Sequence, residues 1–171
     1  MVGENREKQD AAQYRPAAAL LGAWGLYQLL IGSYFMVIRP SFLPEDLRVS
    51  ATTLAAVRGA APGIEAWLQW VFAVMGGQMA ALGVVLMGGA FDLVRGRRPG
   101  WVALGVYVAA GLLSVTLMSA ANFAFGSDFR WFLVAPVVLW LGAMIVLGGR
   151  FGQHVANQEG AAYGNRRRGN R

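Results

Sequence analysis

The chain contains no cysteine. Disulfides, thiolate nucleophiles and cysteine-ligated zinc are therefore excluded on chemical grounds. Histidine occurs once, as His154 in a polar stretch near the C-terminus, so two histidines cannot clasp a haem inside a membrane. Charge is scarce as well. Only 14% of the 171 residues are Asp, Glu, Lys or Arg, against roughly 25% in an average soluble domain. The scarcity is concentrated: 17–38, 66–91, 101–122 and 131–149 carry no Asp, Glu, Lys, Arg or His at all. Proton relays and ion paths in membranes are built from such side chains. Here they would have to use residues at the ends of the runs, such as Glu65, Asp92 or Asp128. No P-loop, GxSxG, HExxH or strand-linked GxGxxG motif is present, and no cofactor is evident.

What fills the chain instead is apolar. Hydrophobic residues make up 56% and glycine contributes 23 positions. An uncharged run of 18 or more residues is the signature of a transmembrane helix. The longest, Ala66 to Phe91, would span roughly 39 Å as a helix, more than a hydrocarbon core of about 30 Å, so it should tilt. The expected fold is all-α: a polytopic membrane protein with four transmembrane helices at about 17–38, 66–91, 101–122 and 131–149. Pro16 suits the first turn of the first helix, and Pro136 should bend the fourth. The first run is too long for a signal peptide and lacks a small-residue cleavage site after it, so it is expected to stay in the mature protein. Residues 1–15 and the basic stretch 150–171 read as disordered tails flanking a membrane domain at 16–149.

Between the first two runs lies the longest connection, broken by Pro40, Pro44 and Pro62. Leu43, Leu47, Leu54 and Val57 fall near helical spacing there, so a short amphipathic helix on the membrane surface and a loop folded over the bundle end are equally compatible with it. Orientation follows from Lys and Arg. Eleven of the 15 fall in the N-terminal tail, the second connection and the C-terminal tail, and four in the other connections. The positive-inside rule then places both termini in the cytoplasm of a bacterial inner membrane. The net charge of +6 reads as topology rather than as nucleic-acid binding, because the basic residues flank apolar runs.

Three groups of residues invite a functional reading. On the second run, Ala73, Gly77 and Ala81 form one line of small residues and Gly76, Ala80 and Gly83 a second. Either lets another helix approach closely, within one bundle or, less often, across a dimer. Gln28 and Gln78 sit near mid-run and should bond each other or a backbone carbonyl, or else line a substrate path. Arg166, Arg167 and Arg168 could contact anionic lipid head groups, or act only as a solvated topology signal. Ser114, Thr116, Ser119 and Asn122 lie along the third run, where bonds to their own helix's carbonyls are the ordinary outcome. Asp92 and Arg95, three apart, should pair across one turn.

The layout resembles small bacterial four-helix membrane proteins of the DoxX-like group: one helix, a longer connection, then three helices with short turns. The Gly76-Gly77…Ala80-Ala81…Gly83 run is similar to the second helix of such proteins, and the resemblance covers most of 17–149. Some members are linked to quinone-dependent sulfur oxidation, but no residue here carries over to that activity. Small multidrug transporters also have four helices; they rely on a glutamate in the first, which Ala17 to Ile38 lacks. The sequence therefore favours a non-enzymatic accessory, scaffolding or assembly protein. Its partners would be the lipid bilayer and another membrane protein or a second copy. A small-molecule or lipid transporter and a quinone-linked oxidoreductase subunit are the alternatives.

Overall fold

In the computed structural model the chain is all-α. Residues 12–150 and 152–153 are described in full, and the backbone of the flanking helices is described out to Val2 and Gly169. The elements are α1 (Val2–Val37), α2 (Pro44–Val49), α3 (Leu54–Ala60), α4 (Ile64–Val94), α5 and α6 (Val134–Gly169). α5 runs as α-helix over Trp101–Gly111, widens into a π turn over Leu112–Thr116 and resumes as α-helix over Leu117–Ala124. Three stretches are long and apolar enough to cross a membrane: Ala12–Val37, Ile64–Val94 and Trp101–Ala124. The apolar part of α6, Val134–Arg150, is shorter. The chain is thus a multi-pass membrane protein of several apolar helices.

The ends differ from expectation in two physically interpretable ways. Residues 12–15 are already helical and Tyr14 is buried, so Pro16 sits inside α1, where its missing N–H leaves the Ala12 carbonyl without its helical donor. Residues 128–133 are spent on turns, so α6 starts at Val134 and Pro136 falls in its first turn. An N–H there has no intrahelical partner in any case, so Pro136, expected from the sequence to bend the fourth helix, leaves no interior helical hydrogen bond unmade. Beyond residues 12–150 the backbone continues α1 back to Val2 and α6 out to Gly169 as helix, while the side chains of His154, Arg166, Arg167 and Arg168 lie outside the described residues.

α1 and α4 run antiparallel with their backbones in contact. Gly25 and Gly32 lie two turns apart on one face of α1, and Gly76 and Gly83 two turns apart on one face of α4. Gly25 meets Gly83, and Gly32 meets Gly76. A Cβ on Gly83 would stand 2.6 Å from both the Gly25 carbonyl oxygen and the Leu29 nitrogen, and one on Gly32 would stand 2.5 Å from the Gly76 oxygen and the Ala80 nitrogen. Of the two small-residue lines on α4, the seam is therefore Gly76, Ala80 and Gly83. Ala73, Gly77 and Ala81 are rotated off it: Ala81 is exposed, and the nearest atom to a Cβ on Gly77 is Met36 Sδ at 3.8 Å. A line of three is not enough to fix the contact face; the matching pair on α1 decides it.

The other seams also close on glycine. Leu20 of α1 lies against Gly142 of α6, Trp140 of α6 packs onto Gly111 of α5, and Tyr107 of α5 packs onto Gly89 of α4. Trp140 Nε1–H donates to the Tyr107 carbonyl at 3.2 Å, one turn ahead of the π segment. Trp24, Leu21, Leu86, Leu93, Val115 and Leu147 fill the centre and are fully buried. With Trp24 and Trp140 both in this core, neither borders an open groove.

Substitution on the seam should separate its two sides. Gly83→Ala forces backbone apart and should lower stability by about 2 kcal/mol, within the range for overpacking. At Gly88 a Cβ would meet nothing within 4 Å, so Gly88→Ala should be neutral or gain about 0.5–1 kcal/mol from helix entropy. Thermal unfolding of both variants in the same detergent checks this; equal melting temperatures would remove the backbone contact from the account.

Candidate ligand cavity

α1 ends, α4 begins, α5 ends and α6 begins at the same end of the bundle, together with α2, α3 and the turn between α5 and α6. At this loop end the helices line an open-sided cavity of about 470 Å³, within the range of small-molecule sites. Its walls are apolar and adaptable: Met75, Met79 and Met118 with Phe72, Phe129 and Phe132. Methionine is flexible and polarisable, and it suits a space that must accept a shape rather than be filled. Tyr27, beyond the cavity wall on α1, packs against Phe132 with the rings tilted and their centroids 5.6 Å apart.

The rim is polar, and each of its groups is placed by local structure. Arg39 leaves the end of α1 beside Phe35, four residues back on the same face. Its guanidinium lies 3.6 Å from the Phe72 ring centroid and 5.3 Å from that of Phe35. Such stacking suits the weakly hydrated, planar guanidinium. Nη2–H donates to Asp46 Oδ2 at 3.1 Å and Nη1–H to the Pro40 carbonyl at 3.0 Å. The side chain is only 8% exposed. Its Nε–H is buried and has no partner.

Asp46 is fixed from its own side, because Oδ2 also accepts the Leu43 N–H at 2.8 Å at the start of α2. Glu45, next to it in the first turn of α2, reaches the α5–α6 turn. Its carboxylate accepts Ser127 Oγ–H at 3.1 Å and the Asp128 N–H at 3.0 Å. Arg48 and Asp128 add an exposed ion pair at 3.1 Å. Ser41 Oγ–H, buried, donates to the Glu65 carbonyl, and Arg58 holds the Glu65 carboxylate through two bonds at 2.8 and 3.0 Å. The long connection is therefore two short helices pinned across the bundle end, with no buried residue in either. A second, smaller space of about 290 Å³ continues the cavity between Glu45, Asp46, Asn122 and Phe125.

Several expected contacts are replaced by others. Gln28 is fully buried, with neither amide atom partnered, and Gln78 is exposed on α4, so the two do not bond. Both lie at mid-run, but depth alone does not set rotation about the helix axis. Asp92 pairs with Arg97 at 2.8 Å rather than with Arg95. α4 stops at Val94, Gly96 takes φ +75°, and the Arg97 N–H returns to the Asp92 carbonyl, which brings the Arg97 side chain back over Asp92. Arg95 instead lies over the Phe91 ring at 4.1 Å. Ser114 and Asn122 bond carbonyls of their own helix as expected. Ser119 reaches across to the Leu133 carbonyl at 2.7 Å, and Thr116 Oγ1, in the π turn, is unpartnered.

The sequence reading counted Arg39 only as one of the four minority basic residues. The available signal was local: an arginine directly after an uncharged run, with Tyr34 and Phe35 one turn before it and two carboxylates seven residues or fewer beyond it. Among the described residues, no group of three His, Asp or Glu could hold a metal ion.

The pin between α2 and the α5–α6 turn should be measurable. Glu45→Ala removes a carboxylate from two donors and should cost about 1–2 kcal/mol. In a double-mutant cycle with Ser127→Ala the coupling should be about 1 kcal/mol; strictly additive losses would mean that the contact holds nothing.

No protein family, curated protein or solved structure gives a match to this chain. What stands of the resemblance in layout is an all-α, apolar, multi-helix chain built for a membrane.

Proposed function

We propose that the protein binds a lipid or another amphiphilic small molecule at the loop end of a four-helix transmembrane bundle, and that it is a carrier or transporter-like protein rather than a pure scaffold. The observation that carries this reading is the 470 Å³ cavity with apolar walls and a charged, hydrogen-bonded rim. A scaffold gains nothing from such a space, whose lining loses packing contacts, whereas an amphiphile would bury its apolar body among the methionines and present its polar end to Arg39. In this reading α6 completes the bundle as the fourth span, the DoxX-like layout describes the architecture, and the eleven-to-four basic asymmetry puts both termini in the cytoplasm. The cavity then opens toward the opposite face of the membrane.

Two measurements test the reading. Met118→Trp should fill the cavity and leave the protein folded. Native mass spectrometry of protein extracted in mild detergent should show a bound amphiphile on the wild type and a loss of at least about ten-fold in its occupancy on the variant, the equivalent of about 1.4 kcal/mol. Equal occupancy would place the ligand elsewhere. For orientation, a cysteine introduced at Gly59, which is exposed with open space around it, should react with an impermeant thiol reagent in intact cells. One at Arg97 should react only after lysis. The reverse pattern would invert the topology.

A further inference from the structure

A separate polar space lies at the end of the bundle opposite the loop-end cavity, where α4 turns into α5. It measures about 180 Å³ and is lined by two guanidiniums, Arg97 and Arg98, by one carboxylate, Asp92, by Gly100 and Ala103 at the start of α5, and by Tyr107. Asp92 is already met by Arg97 Nη1–H at 2.8 Å, so the surplus charge in the lining is positive. α5 begins at this space without a side-chain cap, because Gly100 at the N-cap has no side chain to offer. The N–H groups of Val102 and Ala103 have no intrahelical acceptor there, and the positive end of the helix dipole points the same way. A helix terminus of this kind favours an anion.

Tyr107 points to the same ligand independently. It is only 9% exposed, and its Oη lies where a Cβ on Gly89 would stand. Gly89 lines the same space, so it is the hydroxyl end of the side chain that comes to it. Among the described residues this hydroxyl makes no hydrogen bond: Asp92 acts on it through charge alone, and the bond from Trp140 goes to the Tyr107 carbonyl. A buried hydroxyl without a partner is uncommon and calls for an acceptor. We propose that this space binds the phosphate group of an anionic membrane lipid, whose oxygens accept from Tyr107 Oη–H, from the first-turn N–H groups of α5 and from Arg97. The last turn of α4 and the first of α5 expose Phe91, Val94, Trp101 and Val102, apolar surface for the acyl chains of a lipid held here; a free phosphate would have no use for it. An anionic head group fits better than a zwitterionic one, whose cation would lie among the guanidiniums. The site is distinct from the loop-end cavity and does not rest on the amphiphile reading.

The test titrates the purified full-length protein in mild detergent at pH 7 with dioleoyl phosphatidylglycerol and with dioleoyl phosphatidylcholine, and reads occupancy by native mass spectrometry. The wild type should hold phosphatidylglycerol at least about ten-fold more tightly, the size of a hydrogen bond to a charged group. Tyr107→Phe removes one oxygen and keeps the ring on Gly89. It should lower the affinity for phosphatidylglycerol about ten-fold and leave phosphatidylcholine unchanged. Gly100→Asp enters open space, supplies the missing cap and sets a carboxylate at the helix end. It should raise the melting temperature and abolish the preference for phosphatidylglycerol. Should one variant fail to fold, the other decides. No preference in the wild type, or a preference that Tyr107→Phe leaves intact, overturns the proposal, because exposed arginines alone would then account for the binding. Met118→Trp, at the other end of the bundle, should leave the phosphatidylglycerol titration unchanged; a fall would place that lipid in the loop-end cavity and overturn the proposal while keeping the amphiphile reading. Inorganic phosphate at equal concentration should not displace the lipid. Displacement would make free phosphate the occupant and overturn the lipid assignment.

Discussion

Backbone contact between α1 and α4 is the constraint on which the rest of the molecule depends. In lipid, helices gain little from burying apolar surface against each other, because the surroundings are as apolar as the side chains. Association must come from close packing, and glycine permits the closest approach. Gly25 against Gly83 and Gly32 against Gly76 bring two long helices together over two turns. The pair then presents a fixed surface on which α6 docks through Leu20 and Gly142, with α5 completing the ring through the Gly111–Trp140 and Gly89–Tyr107 contacts.

That arrangement divides the bundle into a filled half and an open half. Toward the termini, Trp24, Leu21, Leu86, Leu93 and Leu147 occupy the space between the helices. Toward the loops the same space is walled by methionine and phenylalanine around the cavity. There α2 covers the opening, held by Glu45 on one side and by Arg39 with Asp46 on the other. Arg39 is the joint between the two parts: its charge is stacked on Phe72 in the membrane part of α4 while its hydrogen bonds belong to the connection.

A charged group this buried is expensive unless paired, and the surroundings of Arg39 pair most of it. What they leave without a partner includes the buried Nε–H. Gln28 presents a related feature deeper in the bundle, an amide with both atoms unpartnered, one turn inward on α1 from Ile31 in the cavity wall. Gln28 in α1 and Arg39 just past its end thus both carry buried polar atoms without partners.

The sequence by itself determined the helical class and the apolar runs that carry it, because a helical crossing demands about twenty apolar residues, far more than a barrel strand, and satisfies its backbone hydrogen bonds within the segment. It also determined that α4 would pack through small residues. Only the tertiary structure decided which small residues, since Gly76, Ala80 and Gly83 form the seam through the glycines that face them on α1, and no property of α4 alone separates them from Ala73, Gly77 and Ala81. The same holds for Gln28 and Gln78, whose depth is written in the sequence but whose rotation about the helix axis is set by the neighbouring helix. It holds most of all for Arg39, Glu45 and Asp46. Their chemistry is local, but the cavity they border exists only where four helix ends, far apart in the chain, are brought together.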